Sequence, residues 1–388
     1  MIVGKMAYLE DITTRNRFGS VNLKKDLEGS SPPSVFIGRH GYPHVQAGPM
    51  LALERGDTSI MDSPESWIPS GKTQENIISY RLGLIRGKKK VRIDSVEDPL
   101  VEKIREISMS ESSIESEINF NKRPRGASFS EERPAHGPSG EMEGFRIDNT
   151  KWNPHLEKVF HDTDLNANEA VKDLHRKGVP FSSIQKAFST GTMGTGKRRK
   201  LVPTRWSITA ADSIIGNGLL DEVRYFDPID TFRLYEFRSL HNYYSVILTP
   251  TPWQYEWMEA FLKIRGNEEM LFSDHELLTG KREYSSVGGC FYSCRMAVLE
   301  ALAGERKQAG AIILREAYRG YVPLGVFNVR ENVRNAMKTS YTEFHDMKSI
   351  LTQISSTLHL PLSRYESQSR ILKEILRTRQ SRLDDFNT

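Results

Sequence analysis

Cysteine is scarce: the 388 residues contain only two, Cys290 and Cys294. That excludes a disulfide scaffold, and two thiols cannot close a four-ligand structural zinc site. On a helix the C-x-x-x-C spacing puts both on one face, where they read as small buried hydrophobes. No apolar run approaches the ~20 residues that cross a bilayer, so no membrane partner is expected. The N-terminal MIVGKMAYLEDITTRNRF turns acidic and polar too soon for a signal peptide, so a cytoplasmic location is expected. There is no G-x-S-x-G and no H-E-x-x-H, so no common hydrolase or metallopeptidase class is indicated and no metal site is expected. Charge of one sign does not dominate either: the net charge is +4 and the pI about 8.8. A nucleic-acid site would therefore have to come from local clustering of cations.

What is present fits a two-domain chain able to bury a core, with 38% hydrophobic residues and a mean hydropathy of −0.51. Residues 1–34 read as a polar N-terminal arm ending in Gly29-Ser-Ser-Pro-Pro33. Val35–Ile37 is a short strand leading into a loop rich in glycine and proline. Helical spacing covers 72–85 and 97–118, with the basic run Arg86–Arg92 turning into a strand between them. An exposed loop is expected near 121–150, where Pro, Gly, Ser and charge concentrate. Residues 154–188 are helical. Leu201–Thr209 alternates like a strand, and β-rich runs fill 222–249. Trp257, Phe261 and Ile264 form one stripe, which predicts a helix over 253–264. Gly288-Gly289 opens a helix over 290–303. Residues 309–318 and 321–329 read as a hairpin about Arg319-Gly320. Helices are expected over 331–357 and 363–379. The fold class is α+β, with mixed helices and mainly antiparallel strands, a larger N-terminal domain and a smaller C-terminal α/β domain.

Three stretches concentrate functional chemistry. GTMGTGKRRK, residues 191–200, fits seven letters of the phosphate-cradling G-x-x-x-x-G-K-[ST], but its eighth is Arg198, which cannot ligate magnesium. It follows a helix and precedes an extended run, so both flanks differ from those of a phosphate loop. Lys197, Arg198, Arg199 and Lys200, with Arg205, read instead as a flexible grip on a nucleic-acid backbone. The loop Arg39–Gln46 gathers Arg39, a candidate anion fork, with His40 and His44, candidate acids or bases near neutral pH. The pairs Arg315-Glu316 and Arg330-Glu331 read as structural ion pairs. The tail carries Gln380-x-x-Leu383-x-x-Phe386, in which Leu and Phe three apart form one helical turn that plugs into an apolar pocket beside the glutamine.

That tail resembles the PIP motif by which partners bind the sliding clamp PCNA. FIGRHGYPHVQAGPM at 36–50, KLVPTRWSIT at 200–209, YSCRMAVLEAL at 292–302, AIILREAY at 311–318 and PLGVFNVRENVR at 323–334 resemble the archaeal Nre family of PCNA-interacting DNA repair proteins. The resemblance implies an Nre N-terminal domain over 35–275, an Nre C-terminal domain over 276–377 and a PIP-like tail over 378–388. It implies a DNA-damage response factor recruited to PCNA, here through Gln380, Leu383 and Phe386 and with other repair proteins as further partners; the basic loops read above are then expected to contact DNA. Two departures stand out: Asn387 follows Phe386 where the family's tail ends in two aromatics, and no cysteine precedes residue 290, so the cysteine-rich N-terminal segment of some relatives is missing. The alternative is a nucleotide- or nucleic-acid-processing enzyme, a nuclease or group transferase, using Arg39, His40, His44 and Arg205. No cofactor is expected beyond a nucleotide that this loop could hold.

Overall fold

A computed structural model describes residues 23–127, 135–264 and 266–384, with 378–384 given as helical backbone. The chain divides into two compact units. Among the described residues, one is built from those up to Ile215 with Pro323–Phe327, the other from Gly216–Val322 and those from Asn328 on.

The first unit holds strands β1 (Asp26–Ser31), β2 (Val35–Ile37), β3 (His44–Leu51), β4 (Ile85–Arg92), β5 (Ile114–Phe120) and β6 (Ser139–Ile147). They form one six-stranded sheet in the order β1-β5-β6-β4-β3-β2. Only β4 and β6 run parallel in it. Its helices are α1 (Pro64–Trp67), α2 (Gln74–Gly83), α3 (Pro99–Met109), α4 (Pro154–His161), α5 (Ala167–Arg176), α6 (Phe181–Ser189) and the start of α7 (Thr204–Val223). β5 alternates buried and half-buried residues, the period-two signature of a strand with one face on a core. That face packs with Val45 and Val91 against Leu100, Val101, Ile104 and Ile107 of α3.

The second unit holds β7 (Phe232–Ser239), β8 (Asn242–Thr249), β9 (Tyr255–Leu262), β10 (Glu269–Glu276), α8 (Gly289–Glu305), β11 (Gly310–Ala317), α9 (Phe327–Ala336), β12 (Thr342–Phe344), α10 (Met347–Ser355), α11 (Leu362–Gln368) and α12 (Ile371–Asp384). Its six-stranded sheet runs β10-β9-β11-β8-β7-β12, with β9 and β11 its one parallel pair. One face packs Met258, Ile312 and Leu314 against Ile350, Leu360, Ile371 and Leu372 from α10 to α12. On α8 the Phe291 carbonyl takes a hydrogen bond from the buried Tyr255 hydroxyl at 3.1 Å. Cys290 and Cys294 lie buried on α8, and burial holds the Cys294 thiol well above its ordinary pKa. They are the small buried hydrophobes their spacing implies.

The α+β class holds, while several local expectations do not. Part of the polar arm is β1: its Gly-Ser composition reflects close backbone approach, since a Cβ on Gly29 would lie 2.0 Å from the Ala52 carbonyl oxygen. Residues 1–22 lie outside the described residues. The expected loop over 121–150 contains β6, in which only Met142 and Phe145 are buried, too few to show a strand pattern. The helical spacing of 97–118 covers both α3 and the start of β5. Leu201–Thr209 is no strand; α7 begins at Thr204, directly after Pro203. The helix expected over 253–264 is β9, and the hairpin strand at 321–329 does not form. β8 and β9 occupy both sides of β11, leaving no edge for a following strand. Pro323–Phe327 instead returns to the first unit, where the Phe327 ring meets Trp67 edge-on at 4.8 Å. The boundary between the two compact units at Ile215–Gly216 falls within α7.

Candidate nucleic-acid interface

The connection between β2 and β3 turns at Gly41, whose φ of +80° favours glycine, and passes through a cis Tyr42–Pro43 bond. The Gly38 amide donates to the Gln46 carbonyl at 2.6 Å and the His44 amide to that of Gly41 at 2.9 Å, closing the loop on itself. Past the end of β4, the Ile93 amide donates to the Pro43 carbonyl at 3.0 Å. The Ile93 carbonyl in turn accepts from the Leu201 amide at 2.8 Å. Pro43, Ile93 and Leu201 therefore lie side by side, and the Arg39–Gln46 loop and the end of the glycine loop share one support. A buried hydrogen bond of 2.9 Å from the Ile37 amide to the Thr204 hydroxyl adds the start of α7.

Ile93 and Leu201 point into the core. Their chain neighbours lie on the surface instead. Arg92 and Asp94 flank Ile93, Lys200 precedes Leu201, and Tyr42 and His44 flank Pro43. Arg92, Asp94, Lys200, Tyr42 and His44 are all exposed, as are Arg39 and His40. His44 is the register partner of Arg92 and Gln46 that of Lys90, so His44, Arg92 and Lys90 extend the same exposed strip along β3 and β4. Arg92 and Asp94 pair at 2.7 Å. That hydrogen bond holds the Asp94 carboxyl below its ordinary pKa, with Lys200 adding a smaller pull in the same direction. The Gln46 amide oxygen is buried and has no hydrogen-bond partner.

Above this strip, Tyr42 and Trp206 lie ring against ring, with centroids 5.3 Å apart and planes inclined by 52°. Both stand out of the protein, with exposures of 51% and 45%. An exposed pair of large rings among cations can stack on a flat π-system while the cations hold phosphates.

The expected site residues are distributed unevenly. Arg39, His40 and His44 sit together on the exposed connection into β3. Arg205 is half-buried in the first turn of α7, next to Trp206. The glycine loop is split. Lys197 and Arg198 lie exposed on a 3₁₀ turn, Gly196–Arg198, tied to Thr163 through the Gly196 amide. Lys200 belongs to the Ile93 support. Arg199 between them donates to the carbonyls of Gly194, Phe160 and Asp162 at 2.8, 2.7 and 2.8 Å. Its partial burial lowers its pKa, and its guanidinium braces the loop from within. Among the described residues no group of three or more His, Cys, Asp or Glu side chains is placed to hold a metal ion. No helix among them is long and apolar enough to cross a membrane. Gln380 and Leu383 fall on the α12 backbone, but their side chains and all of Phe386 lie outside the described residues. Sequence reasoning passed over Tyr42, Trp206, Lys90 and Arg92. The K-x-K-x-R alternation of Lys88, Lys90 and Arg92 was the available signal, since a strand sends all three to one face.

Fold and surface define a two-unit α+β protein with a cationic face topped by an aromatic pair. The chain belongs to the archaeal Nre family. The family model described as "Archaeal Nre, N-terminal" matches residues 4–264, and "Archaeal Nre, C-terminal" matches 276–386. The chain is 37% identical over 375 residues to DNA repair protein NreB of Archaeoglobus fulgidus, covering 94% of this chain and 93% of that one. It is 35% identical to DNA repair protein NreA of the same organism, over 86% of each chain. To DNA repair protein NreA of Haloferax volcanii it is 27% identical, over 93% of this chain and 89% of the other. No solved structure matches it.

Proposed function

We propose that this chain acts in DNA repair, holding the DNA backbone on the cationic face around Ile93 while its tail docks on the sliding clamp PCNA. The observation that carries the DNA contact is the row Pro43–Ile93–Leu201, which gathers exposed Arg39, Lys90, Arg92 and Lys200 from distant parts of the chain. The names of its relatives support the repair role. The Arg92–Asp94 pair moderates the charge, so Lys90 and Lys200 supply much of the attraction. Lys197 and Arg198, exposed on the 3₁₀ turn of the same loop, add further cations. The clamp contact rests on the Q-x-x-L-x-x-F spacing of Gln380, Leu383 and Phe386.

Counterion release makes this reading measurable. Each phosphate neutralised contributes about 0.9 to the slope of log affinity against log salt on duplex DNA. Lys90→Glu with Lys200→Glu should weaken duplex binding several-fold at moderate salt and flatten that slope by about 2. Unchanged affinity and slope in the double variant would remove the Ile93 face from the DNA contact.

A further inference from the structure

The cations account for backbone contact but not for the two rings standing beside them. Tyr42 and Trp206 come from segments more than a hundred residues apart, and three hydrogen bonds fix those segments together: Ile37 amide to Thr204 hydroxyl, Ile93 amide to Pro43 carbonyl and Leu201 amide to Ile93 carbonyl. The exposed aromatic pair is therefore held by the fold. Large rings exposed in water are costly unless something covers them. Here the same supports carry exposed cations: Arg39 on Tyr42's own loop, Arg92 next to Ile93 and Lys200 next to Leu201, and His44 lies two residues from Tyr42. A partner that covers such a pair presents flat apolar faces on a regularly anionic backbone. In a duplex the base faces are already stacked on one another, so they are open only in single strands, frayed ends or extruded nucleotides.

We infer that Tyr42 and Trp206 form a stacking platform for unpaired nucleobases, selecting single-stranded or locally opened DNA while the neighbouring cations hold its phosphates. This rests on the DNA-binding reading proposed above and adds to it the form of DNA preferred. The 52° inclination leaves a wedge-shaped arrangement in which a base can lie on either ring. The platform is indifferent to base identity, because every base has a π-face.

The test measures fluorescence anisotropy of the full chain with a labelled oligothymidylate strand and with a duplex of equal length. Tyr42→Ala and Trp206→Ala are compared with Tyr42→Phe and Trp206→Phe. Both side chains are half exposed, so truncation is compatible with folding, and the melting temperature checks this. The alanine variants should lose about 5- to 100-fold in single-strand affinity, as loss of a base–aromatic stack does, with duplex affinity changed less than twofold. The salt slope should stay as in the parent chain, because no cation is removed. The phenylalanine variants should retain most of the single-strand affinity. If both DNA forms bind and the alanine variants leave their affinity ratio unaltered, the stacking platform is wrong while the DNA-binding reading stands. If neither form binds the parent chain, the reading beneath it fails too, and the rings belong to a protein contact.

Discussion

Asp62 is nearly inaccessible and lies between two cations that are equally buried. Arg81, on α2, and Lys186, on α6, both pair with it, the lysine at 2.9 Å. Lys186 also donates to the Asp62 carbonyl at 3.0 Å and Arg81 to that of Ala135 at 2.8 Å, so each cation is further satisfied by main chain. Burial alone would raise the Asp62 pKa, but the two cations outweigh it and hold the carboxyl below its ordinary 3.8. Removing the single anion would strand two buried positive charges. Asp62→Asn, which keeps the volume, should cost about 3–5 kcal/mol of unfolding free energy at neutral pH. The sign with pH follows from the lowered folded value. The stabilisation is complete above the unfolded carboxylate range and is lost as pH falls through the folded pKa. Urea titrations of parent and variant should therefore differ most above about pH 5 and converge below pH 4. A gap that stays constant down to pH 3 would show that Asp62 is not the charged centre of the triad. The same residue-scale logic separates Arg199 from its neighbours: three carbonyl contacts make it a brace, although the sequence presents four equivalent cations.

At the scale of elements, α12 is the helix that leads to the tail, and a buried carboxylate on the sheet holds its start. Glu256 of β9 accepts the main-chain amides of Arg370 at 2.7 Å and Ile371 at 3.1 Å, together with the Ser369 hydroxyl. These are the unpaired donors of a helix N-terminus, where a negative charge is also favoured by the helix dipole. Glu256→Ala should leave the buried Ile371 amide unsatisfied, at about 1–3 kcal/mol, and free the part-buried Arg370 amide. Hydrogen exchange should speed first at 371–377 while the amides of β8 and β11 stay protected. Uniform acceleration across the sheet, or none at 371–377, would contradict a local anchor. Glu256 also shows why part of this unit was illegible in the sequence. β9 is buried along its whole length, so its apolar residues carry no alternation, and a short, fully buried run reads equally as helix or strand. α7 was missed for the opposite reason: Leu201–Thr209 alternates by chance across the last extended residues and the first helical turn. Helices with one buried face and a clear cap, such as α3 with Asp98 or α5 with Asn166, were legible because local chemistry decides them. The candidate site was half legible. Lys200 and the special loop at 39–46 stand out in the chain, whereas Lys90, Arg92 and the Tyr42–Trp206 contact join them only through Ile93 and the β3–β4 register, which nothing local marks.

Across the whole molecule, the two proposed activities belong to different compact units. The cationic face lies in the unit that ends at Ile215, and the tail continues from α12 of the other. Nothing in the Ile93 support requires the tail, and nothing in the Glu256 anchor requires the loop, so the two bindings should be separable by mutation. Leu383→Ala with Phe386→Ala removes both apolar anchors of the PIP-like motif. Truncating buried anchors of this kind commonly costs more than 1 kcal/mol each, so clamp affinity should fall by roughly tenfold per anchor. DNA affinity and its salt slope should stay as in the parent. Conversely, Lys90→Glu with Lys200→Glu should spare clamp binding. The departure at Asn387 sharpens the test: if the tail seats one aromatic where two fit, Asn387→Phe should raise clamp affinity above that of the parent by a similar factor. Calorimetry with purified PCNA and full-length protein reads all three changes. If the Leu383 and Phe386 truncations left clamp affinity intact and Asn387→Phe added nothing, recruitment would have to be sought elsewhere on the chain. The DNA-binding face would be unaffected by that result, because it stands on residues of the other unit.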